Sequence, residues 1–307
     1  MTNGAPERAG RPRAAGAPPG AWLPGRQRID LSAGPVEYLD TGGPGPCVVF
    51  THGVLMNATL WREVITRLRP DHRCIAPTLP LGAHRLAMRP DADLSIGALA
   101  MLVAEFLDRL DLRDVTLVMN DWGGPQLLVE QGRTDRIGGL ALVACEAFDN
   151  FPPGAPGRQL GYLARVPGGL TLLGLLARSA RVRRAALGPM AKHPIPDALL
   201  TDWFTSLTRD AAVRRDLGRY IRSVPLRHRR DWSAGLAGFA GRALVVWAPE
   251  DQMMPPEHGP RLAALLPDSR LVELTDSHTL IPLDQPARLA AHLRDFVRPG
   301  RHETLDP

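Results

Sequence analysis

Lysine is almost absent from this chain of 307 residues. Lys192 is the only one, so the 37 basic residues are otherwise all arginine. They are scattered among 32 acidic residues, and the net charge of +5 reads as a compositional bias, not as a phosphate-binding stripe. The densest basic clusters, residues 181–184 and 227–230, lack the interleaved aromatics of a single-strand platform, so nucleic acid is not expected as a partner. Cysteine is scarce as well. Cys47, Cys74 and Cys145 stand far apart without paired spacing, which excludes a disulfide framework and leaves them as small residues in or beside strands. No apolar run reaches the roughly 18 residues of a membrane-spanning helix. The apolar stretch 170–177 is short and closely followed by arginines, as in a buried helix. Residues 1–25 are rich in Pro, Gly, Ala and Arg and have almost nothing to bury. They read as a flexible tail without the apolar core of a secretory signal. The expectation is no membrane association and a cytoplasmic address.

What is present is enough to pack a sizeable core: 44% of the residues are hydrophobic. After the tail, residues 28–31 and 35–40 read as two short strands. Residues 47–51 (CVVFT) form a short apolar run ending at His52-Gly53, the pattern of a strand buried on both faces. A helix over 60–68 and a strand over 73–76 follow. Residues 95–110 carry Ile96, Leu99, Leu102, Val103, Phe106, Leu107 and Leu110 at helical spacing behind a capping Ser95. Strands at 115–120, 137–144, 243–247 and 270–274 alternate with helices near 122–132, 257–266 and 286–297. This alternation predicts an α/β fold, a mostly parallel sheet with helices on both faces. It stops between 149 and 232, where helical patches broken by Pro and Gly suggest a helical insertion closing over the sheet. The predicted organisation is a tail at 1–25, a core of 26–148 and 233–300, and a cap of 149–232. No internal repeat is visible.

The strongest local signal is the junction from Val115 to Gly124. A buried strand ends, one polar residue stands at a sharp turn, and Gly123 and Gly124 let a helix start close by. This is the setting of a nucleophile elbow, and the residue at its tip is Asp121. Met119 stands where the elbow usually has its first small residue. The inert alternative is a helix N-cap. Two further matches favour chemistry. Asp251 ends the segment ALVVWAPED, and His278 lies in the loop after the 270–274 strand. Nucleophile, acid and histidine thus follow in the order this architecture requires, each at the carboxyl end of a parallel strand. The inert alternatives are an ordinary turn acid and a surface-loop histidine. His52-Gly53 places the N–H of Val54 near the elbow, where it forms an oxyanion hole with the N–H of Trp122.

On these pieces, together with Trp61-Arg62 and Asp284-Gln285-Pro286, the chain from about 48 to 297 resembles the aspartate-nucleophile branch of the α/β-hydrolases, the haloalkane dehalogenases and epoxide hydrolases. The resemblance implies an α/β-hydrolase fold with a helical cap, Asp121 as nucleophile, Asp251 as orienting acid and His278 as general base. A carboxylate with an ordinary pKa near 3.9 needs no activation at neutral pH. It displaces a leaving group from an sp³ carbon to give an alkyl ester, which a base-activated water then hydrolyses. Attack on ordinary esters would instead give a mixed anhydride, so alkyl halides or epoxides are the expected substrates.

The resemblance supplies candidates for the leaving group too. Trp122 resembles the halide-binding tryptophan of the dehalogenases. Their second donor is an asparagine after His-Gly or a cap tryptophan. Val54 fills the asparagine position and Asn57 comes three residues late, which leaves Trp203, whose inert role is packing the cap on the sheet. Glu146 stands where some dehalogenases carry the acid that orients histidine; alternatively it is a second polar residue at the sheet rim. Epoxide opening would need tyrosine hydroxyls from the cap, for which Tyr162 and Tyr220 are the candidates, although Leu55 replaces the proline of the expected His-Gly-x-Pro. The interval from His278 to Asp284 is one residue longer than the resemblance implies. Dehalogenase-like hydrolysis is the leading expectation, with epoxide hydrolysis second. A non-catalytic ligand-binding protein on the same fold is the alternative of a different class. The cap is apolar (Leu163, Val166, Leu170, Leu172, Leu173, Phe204), so a small apolar organic substrate is expected. No metal cluster or nucleotide loop is seen, so no cofactor is called for. Nothing in the sequence fixes an oligomeric state.

Overall fold

A computed structural model describes residues 26–226 and 231–297. The tail expected at 1–25, the basic cluster at 227–230 and the end of the core at 298–300 lie outside the described residues. The chain opens with a hairpin, β1 (Arg26–Leu31) and β2 (Gly34–Asp40), then β3 (Cys47–Thr51), helix α1 (Arg62–Leu68), β4 (Arg73–Pro77) and helix α2 (Ile96–Arg109). Next come β5 (Val115–Asp121), a short helix α3 (Leu127–Glu130) and β6 (Ile137–Cys145). Five helices occupy the interval where strands stop: α4 (Gly154–Leu163), α5 (Gly169–Leu176), α6 (Ala180–Leu187), α7 (Asp197–Arg209) and α8 (Ala211–Ser223). The chain closes with β7 (Arg242–Trp247), α9 (His258–Leu265), β8 (Ser269–Glu273), α10 (Ile281–Asp284) and α11 (Pro286–Val297).

The eight strands form one sheet in the order β1-β2-β4-β3-β5-β6-β7-β8, antiparallel in its first two pairings and parallel from β4 to β8. Every residue of β5 is buried, as expected of a central strand covered on both faces. Helix α2 explains its own position. Ser95 accepts from the N–H of Ala98 at 3.3 Å, capping the first turn, and Leu99, Leu102, Val103, Phe106 and Leu107 are buried on one stripe. Each such side chain contributes roughly 1.5–3 kcal/mol through burial.

The strand order determines where a site can form. After β3 the chain moves outward to β4, then returns past β3 to lay down β5 on its other side. The loops after β3 and β5 therefore leave neighbouring strands on opposite courses and open a crevice at the carboxyl edge of the sheet. Val48–Thr51 run in register with Thr116–Met119, which puts His52-Gly53-Val54 directly beside Asp121.

The cap is held over that edge by a polar strut. Trp203 Nε1 donates to Thr59 Oγ1 at 3.0 Å, Thr59 Oγ1 donates to Asn57 Oδ1 at 2.6 Å, and Asn57 Nδ2 donates to Asp202 Oδ2 at 3.0 Å. Arg85 completes it with an ion pair to Asp202 at 2.6 Å. No described helix is long and apolar enough to cross a membrane.

Candidate active site

Asp121 ends β5 with φ of +62°, the left-handed conformation that costs a non-glycine residue about 1–3 kcal/mol unless its surroundings enforce it. The surroundings do. A Cβ on Gly53 would come within 1.8 Å of Asp121 Oδ2, and one on Gly124 would fall 2.1 Å from the Trp122 ring. Only glycine lets the β3 loop and the following turn close around the carboxylate. His52 fixes the same loop: it is buried, its Nδ1–H donates to its neighbour's carbonyl (Gly53 O, 2.9 Å), and its Nε2 accepts from Leu79 N–H at 2.9 Å. Burial pushes this imidazole down to about 4, so it is neutral, as that pair of bonds requires.

The Val54 N–H donates to Asp121 Oδ2 at 3.2 Å, while the other oxygen, Oδ1, is buried without a partner. Trp122 Nε1 is a buried donor that meets only the Tyr220 phenol, and the Trp122 ring stands edge-on to Tyr220 at 6.4 Å. Buried polar groups are satisfied with few exceptions, so an open acceptor beside a donor loosely met by one phenol marks a place made for a ligand. Burial pushes the Asp121 carboxyl up to about 7; the Val54 N–H opposes this and the charge of Asp251 adds to it. This corrects the expectation of a carboxylate with an ordinary pKa: the desolvation that exposes it to substrate also weakens its ionisation.

Above Asp121 lies a partly open cavity of about 330 Å³, mostly apolar, with Leu160, Leu163, Leu173, Leu187, Ile221 and Met253 among its walls. Its polar lining at the sheet edge is Asp121, Glu146 and Tyr220, with Val54 beside them. Glu146 follows β6, and its Oε2 accepts from Gly123 N–H at 3.2 Å. Burial first, and the Asp121 charge second, hold its carboxyl well above the usual range. The two carboxyls share this cavity, and burial together with their mutual repulsion disfavours charging both at once. Burial also raises the Tyr220 phenol well above its ordinary value, leaving its O–H protonated.

Three other residues stand elsewhere. Tyr162 is 56% exposed on α4 and is no part of the cavity wall. It is the outward neighbour of Gly161 and Leu163, which do line the cavity. Trp203 is buried, its N–H is engaged by Thr59 and it is absent from the wall. His278 is half-buried and also off the cavity wall. Its backbone N–H donates to Asp284 Oδ2 at 3.0 Å, and its Nδ1 is buried without a partner.

Asp251 lies at the end of the loop after β7. Its Oδ1 accepts from Met253 N–H at 2.8 Å, Met254 N–H at 3.2 Å and Thr279 Oγ1 at 2.9 Å, and its Oδ2 has no partner. Burial raises its pKa, with the two backbone N–H groups opposing. Thr279 escaped the reading of the sequence. Its signal was the His278–Asp284 interval, one residue too long: counted from Thr279, the interval is the one the resemblance implies.

A family model described as "Alpha/beta hydrolase family" matches residues 48–292. "Haloalkane dehalogenase 2" of Mycobacterium tuberculosis is 29% identical over 283 residues, covering 86% of this chain and 91% of that protein. An α/β-hydrolase-fold protein from Burkholderia ambifaria superposes with a TM-score of 0.74 at 23% identity, over 88% of this chain and 97% of that one. A thermophilic esterase from Thermogutta terrifontis superposes with a TM-score of 0.66 at 21% identity, over 89% and 98%. At such identities the two structures speak to the fold alone.

Proposed function

The chain belongs to the α/β hydrolase family of enzymes, and on that premise we propose that it hydrolyses small apolar alkyl halides through an ester on Asp121. One observation carries the reading: Asp121 Oδ1 is buried without a partner, and the next residue offers a buried N–H, Trp122 Nε1, that meets nothing but the Tyr220 phenol. Oδ1 attacks the sp³ carbon, the carbon–halogen bond breaks, and the halide leaves with the electron pair toward the Trp122 N–H. Water then adds to the ester carbonyl, whose oxygen receives the Val54 N–H. The alcohol departs and the carboxylate returns. Overall, alkyl halide and water give alcohol, halide and a proton. Asp251 and His278 are the pair expected for water activation, and their atoms Asp251 Oδ2 and His278 Nδ1 are open but not bonded to each other. Glu146, whose carboxyl burial pushes well above the usual range, is less suited to orienting a base than Asp251.

Tyr220 supports a second reading. Its protonated phenol lines the cavity and is a suitable donor to the oxygen of an opening epoxide. With Tyr162 outside, this would be a one-tyrosine acid. Bromide release from 1-bromobutane and 1-bromohexane, set beside diol formation from styrene oxide, separates the two. The halide reading expects bromide release that disappears in Asp121→Asn. Diol without bromide would replace it with the epoxide reading. Turnover of either substrate by Asp121→Asn at the native rate would defeat both.

A further inference from the structure

Asp251 gives its Oδ1 to a residue that cannot act as a base. Thr279 is fully buried, and its hydroxyl bonds Asp251 Oδ1 at 2.9 Å. Its carbonyl accepts from Asn120 Nδ2 at 2.7 Å, and Asn120 immediately precedes the nucleophile. Thr279 is thus tied to the acid on one side and to the root of the elbow on the other. A threonine hydroxyl is far too weak a proton acceptor to activate water near neutral pH. The neighbouring His278 is less buried, stands off the cavity wall and has its backbone pinned by Asp284. Asp284 is itself held in place, accepting from the N–H groups of Lys192 and His193 in the cap at 2.8 and 3.0 Å.

We propose that Thr279 fills the place in which Asp251 would hold a water-activating imidazole, so that the alkyl ester on Asp121 forms readily and then persists, with its hydrolysis the slow step of turnover. The inference rests on Asp121 being the nucleophile. The first half-reaction needs no base: an Asp121 oxygen gains the alkyl carbon, and the halide leaves with the bonding pair. The second needs a proton taken from water as its oxygen attacks the ester carbonyl, and a proton given to the departing alkoxide. That exchange is the one left without an aligned base.

The test uses the full-length protein with 1-bromohexane, following bromide and intact-protein mass together. The expected result in the native chain is a burst of about one bromide per chain, with one hexyl group on the peptide that carries Asp121, then a slow phase. Thr279→His is expected to shorten the adduct lifetime on the order of 100-fold, while Thr279→Val leaves it long. Should Thr279→His fail to fold, added imidazole is expected to speed adduct decay in Thr279→Gly. Continuous bromide release without burst or adduct would overturn the inference while leaving Asp121 as nucleophile. A folded Thr279→His whose adduct decays no faster than the native one would overturn it too. Absence of bromide and adduct in every variant would instead remove the Asp121 reading, and the inference with it.

Discussion

The loops after β3 and β5 hold Asp121 between glycines that admit no side chain, whereas the loops after β7 and β8 hold Asp251 against a threonine and leave His278 aside. At the first end the open Asp121 Oδ1 and the N–H of Trp122, met only by Tyr220, belong to adjacent residues and suit the proposed alkyl halide. At the second the open atoms, Asp251 Oδ2 and His278 Nδ1, complement each other and are not joined. One fold can therefore be fully organised for forming a covalent bond and incompletely organised for hydrolysing it. The two half-reactions draw on different strands, joined through the bond from Asn120 to the Thr279 carbonyl.

The harshest way to break the first end is Gly53→Ala. The new methyl would enter the space of Asp121 Oδ2 and displace both the Asp121 carboxylate and the Val54 N–H that holds it. Ester formation should fall on the order of 1000-fold, measured as the rate of hexyl incorporation, with circular dichroism unchanged. Retention of the native rate would mean that the β3 loop does not shape the site. Trp122→Phe is milder, because it removes one N–H and keeps an aromatic ring. Bromide release should drop about 100-fold, with styrene oxide opening changed much less. Equal losses on both substrates would point to packing and not to halide binding.

Much of this contrast could be read from residue order. The elbow was legible because Val115–Asp121 is an unbroken buried strand followed by two glycines, a pattern whose physical meaning is local. The sheet, and the places of Asp121, Asp251 and Glu146 at or just after its strands, could be read for the same reason. The side chains that face one another across loops could not. Tyr162 and Tyr220 are equally plausible on paper, and only the packing of α4 and α8 turns one outward and the other into the cavity. Trp203 looks like a spare donor until its partner Thr59, 144 residues away, is known. Thr279 was hidden by the histidine beside it, because a histidine after the last strand draws attention that a threonine does not.

The shifted ionisation of Asp121 sharpens the comparison at a smaller scale. With its value raised to about 7, the fraction able to attack increases as pH rises. The burst rate should fall about tenfold per pH unit below 7 and level off above it. The same shift has a consequence for stability. The folded chain holds the Asp121 proton between the ordinary value of 3.8 and about 7, where the unfolded chain has lost it. Stability therefore declines as pH rises through that window, and the deficit persists above it. Asp121→Asn should then be more stable than the native chain by about 1–2 kcal/mol at pH 8, with the gain shrinking toward pH 4. Urea unfolding at the two pH values checks this, and a stability loss at pH 8 would contradict the strained, desolvated carboxylate.

The smallest effect tests whether the cap strut is separate from the chemistry. Trp203→Phe keeps most of the buried ring and removes only the N–H that reaches Thr59 Oγ1. Thr59 continues to donate to Asn57 Oδ1, so the rest of the strut retains its bonds and a single acceptor is left under-satisfied. Such a loss costs about 1–2 kcal/mol, visible as a lowered thermal midpoint. Because Trp203 does not line the cavity, the bromide burst per chain should stay within about twofold of native, as expected of packing changes remote from a site. A burst that collapsed while the midpoint held would return Trp203 to the role of leaving-group donor, and would mean that the cap closes farther over Asp121 when substrate is bound.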